Sequence, residues 1–274
     1  YSTQMVVLNL LGLYFGDILG TVDFDTYTAM VQGIEALPAQ MAHILSDTAE
    51  IQAAARELAG HEQIFFIGRN LDYALSLEGS LKLKEISYVH SDAYAAGELK
   101  HGTISLVTDG VPVIALATQK NVYEKTISNA KETRSRGARV LLFTTKDAEV
   151  PEGVATEVIR LDEYDDILMP LQLIVPLQLF AYYVALQRGC DIDKPRNLAK
   201  SVTVDGESVS LTPLEFNILQ LLIRSPGRIY SSSQIYELVW KEDSLGAETS
   251  VSVHIRHLRQ KLEINPSEPR YLKV

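Results

Sequence analysis

The chain has 274 residues, enough for one larger and one smaller domain, each with its own core. Its net charge of −10 is uneven, because residues 1–204 hold 17 Lys and Arg against 26 Asp and Glu, whereas residues 205–274 hold 8 against 9. This acidic balance argues against indiscriminate nucleic-acid binding. The single cysteine, Cys190, excludes an intrachain disulfide and fits a cytoplasmic location.

The first 58 residues are predicted to be helical. Apolar periodicity covers residues 5–15 and 27–58, with a break around residues 16–22. The chain opens on Tyr1 inside an apolar run that has no basic leader, which is unlike a signal peptide. We therefore interpret the sequence as a fragment, and we expect its first helix to expose an apolar face.

Strand and helix patterns alternate in the next part of the chain. Short apolar strands are predicted at residues 63–68, 111–117, 139–145 and 157–161, with helices over residues 74–87, 122–136 and 167–188. This alternation predicts an α/β fold in which helices cover both faces of a parallel sheet. Ligands of such sheets lie outside the carboxyl ends of the strands, so the loops after Gly68 and Ala117 are the places to search.

Residues 167–186 are long and apolar enough to suggest a membrane span. However, two prolines and two glutamines interrupt the segment, and an acidic stretch at residues 162–166 precedes it. A helix buried between the sheet and a partner subunit explains this pattern better, so we expect no membrane contact.

The hydrophobic period changes after Gly206. Thr212 has the character of a helix N-cap, with Pro213 at the first helical position and Glu215 at the third. Two further short helices are predicted over residues 233–240 and 249–263. Three short helices in close succession indicate a helix-turn-helix unit.

The motifs LKLKEISY, YAAGELKHG, VPLQL and RGCDIDKPRNLAKSVTV are the most specific part of the sequence. With them, residues 1–204 resemble the second sugar-isomerase (SIS) domain and C-terminal tail of the glutamine–fructose-6-phosphate aminotransferase (glucosamine-6-phosphate synthase) family. The resemblance implies helices left from a preceding SIS domain at 1–58 and an isomerase domain with its tail at 59–204. The family's glutaminase and most of its first SIS domain have no counterpart here, so we expect no ammonia release from glutamine by these residues alone.

The chemistry of this family requires ring opening, an imine at C2 and a proton transfer between C1 and C2. A carboxylate or imidazole can move the proton, and a lysine amine can form a Schiff base. The resemblance implies that Glu85 is the base, that His101 assists ring opening from the neighbouring subunit and that Lys200 forms the Schiff base. Lys82 and Ala199 are implied to contact the sugar phosphate, although Lys82 could instead hold Glu85 ionised.

Taken singly, these side chains have ordinary structural explanations. Glu85 and Lys82 would be a solvated pair on a helix, His101 a helix-end histidine and Lys200 a surface lysine. The matching motifs around them favour the functional roles. The resemblance also implies a homodimer, and we expect neither a metal nor a cofactor.

The segments LTPLEFNILQLL and SVSVHIRHLRQKLE distinguish the last part of the chain. Through them, residues 205–274 resemble the winged helix-turn-helix effector domain of OmpR/PhoB-type response regulators. An apolar stripe on the last helix is expected to face the core, and the residues implied to contact DNA are Val253, Arg256, His257, Arg259 and Lys261. Such a helix enters a major groove, although an amphipathic surface helix is the alternative. The wing hairpin is expected after residue 274, so we expect DNA binding to be weak.

Three interpretations of the whole chain remain open. The first is the isomerase portion of the synthase fused to a DNA-binding domain, acting on fructose 6-phosphate and glucosamine 6-phosphate. The second is a transcriptional regulator in which a SIS domain senses an amino-sugar phosphate. The third is an artificial join of two truncated genes with neither activity intact.

Overall fold

The computed structural model describes residues 1–193, 195, 201–204, 207–240 and 248–273. Within it the chain forms two compact units, Tyr1–Arg196 and Asn197–Val274. Each unit has its own hydrophobic core.

The first unit begins with three helices, α1 (Ser2–Ile18), α2 (Phe24–Ser46) and α3 (Ala49–Leu58). The sequence predicted one helical stretch over residues 27–58, but the helix is broken. Asp47 adopts an extended backbone (φ −139°, ψ 107°) and its carboxylate accepts a hydrogen bond from the Ala49 amide at 3.1 Å. Aspartate competes in this way with helical hydrogen bonds, which explains why the periodicity continues while the helix does not.

Five parallel strands form the sheet of the first unit, in the order β2-β1-β3-β4-β5. The strands are β1 (Gln63–Gly68), β2 (His90–Ala95), β3 (Pro112–Ala117), β4 (Arg139–Thr145) and β5 (Glu157–Leu161). Side chains alternate between the faces, so Ile64 and Phe66 enter one core and Phe65 and Ile67 enter the other.

Helices cover both faces of this sheet, as predicted. Helices α4 (Leu71–Ser87) and α6 (Met169–Gln187) join α3 on one face, and α5 (Tyr123–Ser135) lies on the other. Short 3₁₀ segments complete the unit at Ala96–His101, Thr103–Leu106 and Lys120–Val122.

Helix α6 has the length and apolar character of a membrane span, with a mean hydropathy of 1.5, but 67% of that stretch is buried within the structure. Leu173, Leu177 and Phe180 are fully buried in the core shared with α3 and α4. The helix therefore forms part of the protein core, which confirms the predicted burial against the sheet. The predicted contact with a partner subunit stays a prediction.

The second unit joins a two-stranded antiparallel hairpin to three helices. The elements are β6 (Ser201–Val204), β7 (Glu207–Ser210), α7 (Pro213–Ile223), α8 (Ser232–Trp240) and α9 (Glu248–Leu262). Leu211, Ile218, Ile235 and Leu258 are buried at the centre of this unit. Strand β6 is the end of the segment that the motifs assign to the isomerase tail, yet it pairs here with β7, with Val204 opposite Glu207.

Candidate functional site

The strand order reverses between β1 and β3, which creates the crevice where α/β sheets usually bind ligands. Asp72 fills this position at 1% exposure. Its Oδ2 accepts hydrogen bonds from the amides of Thr118 (2.7 Å) and Gln119 (3.3 Å), and its Oδ1 accepts one from the Thr118 hydroxyl (2.6 Å). Donors that could hold an anion at this crevice are thus taken by a carboxylate of the chain itself.

Burial raises the pKa of the Asp72 carboxyl, because the hydrogen bonds that favour its ionised form do not fully offset the loss of water. The neighbouring cation is engaged as well, since Nε and Nη2 of Arg69 donate to Asn129 Oδ1 at 3.0 and 2.9 Å. The loop after β1 therefore has a structural role at this crevice.

On the last turns of α4, Glu85 belongs to a chain of contacts with Lys82 and Glu78. Lys82 Nζ lies 2.7 Å from Glu85 Oε2 and 3.7 Å from Glu78 Oε1. Burial alone would lower the pKa of Lys82, but the hydrogen bond and charge of Glu85 and the charge of Glu78 outweigh it and raise that pKa. Lys82 is therefore a stable cation that fixes the position of the Glu85 carboxylate.

Glu85 shares its helix face with two exposed leucines. Leu77 and Leu81 are spaced so that they lie beside Glu85 on the outer side of α4, and both expose more than a third of their surface. A partly exposed carboxylate bordered by exposed apolar side chains is typical of a surface that another protein segment covers.

His101 and Glu85 belong to segments on opposite faces of the sheet. Glu85 is in the last turn of α4, just before β2, whereas His101 ends the 3₁₀ segment that follows β2. Leu83 of α4 is buried in the core on one face, whereas Leu99, two residues before His101, is buried in the core on the other face. Among the described residues, no hydrogen bond or ion pair joins Glu85 to His101. The described partner of His101 is Glu98, with Nε2 3.7 Å from its carboxylate. Lys200 and Ala199 lie outside the described residues.

Helix α9 carries the residues implied to contact DNA. The predicted apolar stripe consists of Val251, Ile255, Leu258 and Leu262. Three of these side chains are buried, and Ile255 is partly buried against the same core. Val253 and Arg256 are exposed.

The other three basic side chains have partners within the second unit. Arg259 Nε donates to the Leu272 carbonyl at 2.9 Å, and Lys261 Nζ donates to Glu215 Oε2 at 2.7 Å. His257 Nδ1 lies 3.8 Å from Glu215 Oε1. These contacts join residues far apart in sequence, which helical periodicity does not reveal.

Glu215 is an almost fully buried carboxylate of this unit, at 2% exposure. Its Oε2 accepts from the Thr212 amide at 2.7 Å, and the Glu215 amide donates to Thr212 Oγ1 at 3.3 Å, which completes the predicted capping box. Burial would raise the pKa of Glu215, but the hydrogen bonds from Lys261 and Thr212 outweigh it and hold that pKa below its usual value.

Glu263 organises the segment that follows α9, a role that the sequence did not suggest. Its carboxylate accepts from the amides of Arg270 (2.7 Å), Tyr271 (2.8 Å) and Leu272 (2.7 Å). These amide bonds outweigh burial and lower the pKa of Glu263. A carboxylate at the end of a helix is normally unfavourable, so the three amides explain why it is tolerated here.

Two family models match separate parts of the chain. Residues 57–188 match the SIS domain, and residues 206–274 match "Transcriptional regulatory protein, C terminal". The predicted fold class, a SIS-type α/β domain followed by a small winged-helix domain, is confirmed.

Similar proteins carry the aminotransferase name that the motifs suggested. The chain is 53% identical over 205 residues to glutamine–fructose-6-phosphate aminotransferase [isomerizing] of Symbiobacterium thermophilum, covering 75% of this chain and 34% of that protein. It is 46% identical over 206 residues to the protein of the same name from Methanosarcina acetivorans, of which it covers 33%. The chain thus spans about a third of the length of these relatives.

A solved structure of an aminotransferase domain is also similar to this chain. The C-terminal domain of glucosamine-fructose-6-phosphate aminotransferase from Francisella tularensis is similar with a TM-score of 0.66 and 32% identity. The match covers 71% of this chain and 55% of that structure.

Proposed function

We propose that this chain, which joins a SIS domain to a winged-helix domain of transcriptional regulatory proteins, supplies the isomerase part of glucosamine 6-phosphate synthesis from fructose 6-phosphate. The observation that carries the proposal is the 53% identity over 205 residues to an isomerising aminotransferase. The Glu85–Lys82 pair on α4 supports it, because a carboxylate with a fixed position is what the proton transfer needs.

In this proposal Glu85 accepts a proton from C1 of the C2 imine and returns it to C2. Lys82 holds the carboxylate in place through its 2.7 Å contact. His101 assists ring opening, Lys200 forms the Schiff base with the open-chain ketose, and Ala199 contacts the sugar phosphate beside it.

The proposal uses two copies of the chain, because Glu85 and His101 belong to segments on opposite faces of the sheet within one copy. The exposed Leu77 and Leu81 beside Glu85 offer an apolar surface for the second copy. We therefore propose a homodimer in which His101 of one copy serves Glu85 of the other.

The test of Glu85 uses a hybrid in which residues 1–204 replace the matching part of the Symbiobacterium thermophilum relative. Glu85→Gln should lower isomerase turnover by about 10²–10⁴-fold, because it removes the base, and should leave sugar-phosphate binding nearly unchanged. Glu78→Gln is the matched control, since Glu78 lies on the same helix and faces the same lysine. Turnover of the Glu85 variant at the level of the control would contradict the assignment.

The same hybrid tests the shared site. Glu85→Gln and His101→Ala are each expected to be inactive, but mixing them lets a mixed dimer combine Glu85 from one copy with His101 from the other. Random exchange makes half of the dimers mixed, and each mixed dimer has one intact site of its two. The mixture should therefore recover about a quarter of the activity of the unmodified hybrid. Recovery of none, with subunit exchange verified by mass spectrometry, would place both residues of a site in one copy.

A second proposed function is duplex DNA binding by the winged-helix unit, supported by the exposed Val253 and Arg256 on α9. His257 borders this face, while the charges of Arg259 and Lys261 are partly engaged within the unit. Binding is therefore expected to be weak. The comparisons do not favour the sugar-phosphate-sensing regulator or the artificial join, and we propose a cytoplasmic location from the single cysteine.

A further inference from the structure

Three side chains of the second unit converge although they come from two helices. Glu215 lies in the first turn of α7, and His254 and His257 lie on one face of α9, three residues apart. One ligand atom from each residue lies within 4.8 Å of the others.

Among the described residues, the side-chain hydrogen bonds of Glu215 use one carboxylate oxygen, and the other faces His257. Glu215 Oε2 is used by the Thr212 amide and by Lys261, whereas Oε1 faces His257 Nδ1 at 3.8 Å, beyond hydrogen-bond distance. His254 Nδ1 is buried and has no hydrogen-bond partner among the residues that the structure describes. A buried ring nitrogen without a partner is costly, so a bound group that engages His254 Nδ1 would stabilise this unit.

We propose that Glu215, His254 and His257 bind a divalent transition-metal ion of the zinc type. Two imidazole nitrogens and one carboxylate oxygen form a ligand set that suits Zn²⁺, with distances of about 2.0–2.2 Å. The three ligand atoms need to approach one another by about 1 Å to reach this geometry. That movement is feasible because the His257 side chain is 42% exposed, and this open side leaves the fourth position to water.

Lys261 distinguishes this site from a high-affinity structural zinc site. Its ammonium lies 2.7 Å from Glu215 Oε2 and repels a cation at the adjacent Oε1. The ion therefore binds reversibly. The site joins α9 to α7 and uses His257 as a ligand. A bound ion would therefore make this imidazole unavailable on the helix face implied to contact DNA.

The chain contains its own reporter for this site. Trp240 is the only tryptophan, and its ring centroid lies 5.8 Å from that of His254. The experiment titrates the full chain with Co²⁺, which should quench Trp240 fluorescence and produce visible absorption bands at one equivalent. Zn²⁺ should then displace Co²⁺ and abolish the bands, and native mass spectrometry should give one Zn²⁺ per chain.

Variants assign the ligands. His254→Gln and His257→Gln should each weaken Co²⁺ binding at least about tenfold, whereas His61→Gln, which changes a histidine of the other unit, should not. Lys261→Gln should strengthen binding severalfold because it removes the repelling charge. Circular dichroism verifies that each variant is folded, and Glu215 is left intact because it also caps α7.

Two results would overturn the proposal. One is the absence of any Co²⁺ spectrum or Zn²⁺ adduct in the unmodified chain. The other is unchanged affinity in the double variant His254→Gln/His257→Gln, which would place the ion elsewhere.

Discussion

Asp72 holds the start of α4 against the end of β3. Its carboxylate receives two amides and one hydroxyl while its burial raises its pKa. The hydrogen bonds of Asp72 therefore stabilise the fold, whereas the burial of its charge destabilises it. A neutral side chain of the same shape separates these two effects.

Asp72→Asn should therefore be at least as stable as the unmodified chain at pH 7. The amide oxygen can accept from the two backbone amides, and the NH₂ group can donate to the Thr118 hydroxyl oxygen. Asp72→Ala should be destabilised by about 1–3 kcal/mol for each buried donor left unpaired. Urea unfolding followed by circular dichroism measures both.

The pH dependence of Asp72→Asn supplies the control. A carboxyl whose pKa is raised on folding costs stability above that raised pKa, and the cost disappears as pH falls towards the ordinary aspartate value. The advantage of the Asn variant should therefore shrink over this range. An advantage that does not change with pH would show that Asp72 carries no buried charge.

Glu215 should have the opposite pH dependence, because its pKa is lowered on folding. Its contribution is present above the ordinary glutamate pKa and is lost as pH falls through the depressed value of the folded state. We expect the second unit to lose stability on acidification over that range. Urea unfolding followed by Trp240 fluorescence measures it, since this tryptophan lies in the second unit.

Glu215→Gln should reduce the loss of stability of the second unit on acidification. The remaining loss should come from Glu263, because its pKa is also lowered. Glu268→Gln is the control, since Glu268 is exposed and contacts only the nearby Asn265 among the described hydrogen bonds. An unchanged acid slope in the Glu215 variant would argue against an ionised Glu215.

Residue contacts could be predicted from the sequence only where the partners are close along the chain. Lys82 and Glu85 are three residues apart, so helix geometry alone predicts their pairing. Glu215 and Lys261 are 46 residues apart and meet only because α7 packs on α9. The metal-ligand cluster was missed for the same reason, since its third member comes from another helix.

Element prediction succeeded where apolar side chains cluster and failed where they do not. Strands β1, β4 and β5 have the predicted bounds. Strands β1 and β4 are buried along almost their whole length, and β5 buries Ile159 and Leu161 on either side of the exposed Arg160. Strand β2 was missed because its sequence, HSDAYA, is polar. It lies at the edge of the sheet, where one side of the strand has no neighbour and less apolar surface is required.

Two cations of α9 should differ in their contribution to DNA binding, because Arg256 is exposed and Lys261 is paired with Glu215. Arg256→Ala should weaken binding, and it should reduce the slope of log K against log salt by about one if the side chain contacts a phosphate. If Arg256 reads a guanine, preference at one base pair should also fall by about 1–3 kcal/mol.

Lys261→Ala should instead lower the stability of the second unit, because it removes the partner of the buried Glu215. Its effect on the salt slope should be smaller than that of Arg256→Ala. Fluorescence anisotropy of labelled duplex DNA with the full chain, over a salt series, measures both. An equal loss of slope in the two variants would show that Lys261 leaves Glu215 to bind a phosphate.

At the scale of the whole molecule, α1 exposes an apolar face, as expected from the sequence. Leu8, Leu11 and several neighbours on this helix expose more than a third of their surface, whereas Leu13 is buried. Exposed apolar surface of this kind favours association.

Leu8→Gln/Leu11→Gln should therefore reduce self-association without lowering the melting temperature. Leu13→Gln, the matched control, should lower the melting temperature because it places an amide in the core formed with α2 and α6. Light scattering over a concentration series and thermal unfolding measure the two effects. Association that persists in the double variant would assign it to another surface.

The pairing of β6 with β7 restricts the movement of the chain segment just before β6. Lys200 directly precedes Ser201, the first residue of β6, and adjacent Cα atoms are about 3.8 Å apart. While the hairpin stays paired, the proposed Schiff-base lysine is thus tethered to the winged-helix unit. The imine that we propose at this lysine would form one residue from a paired strand, so opening of the hairpin would lengthen the free segment that carries it.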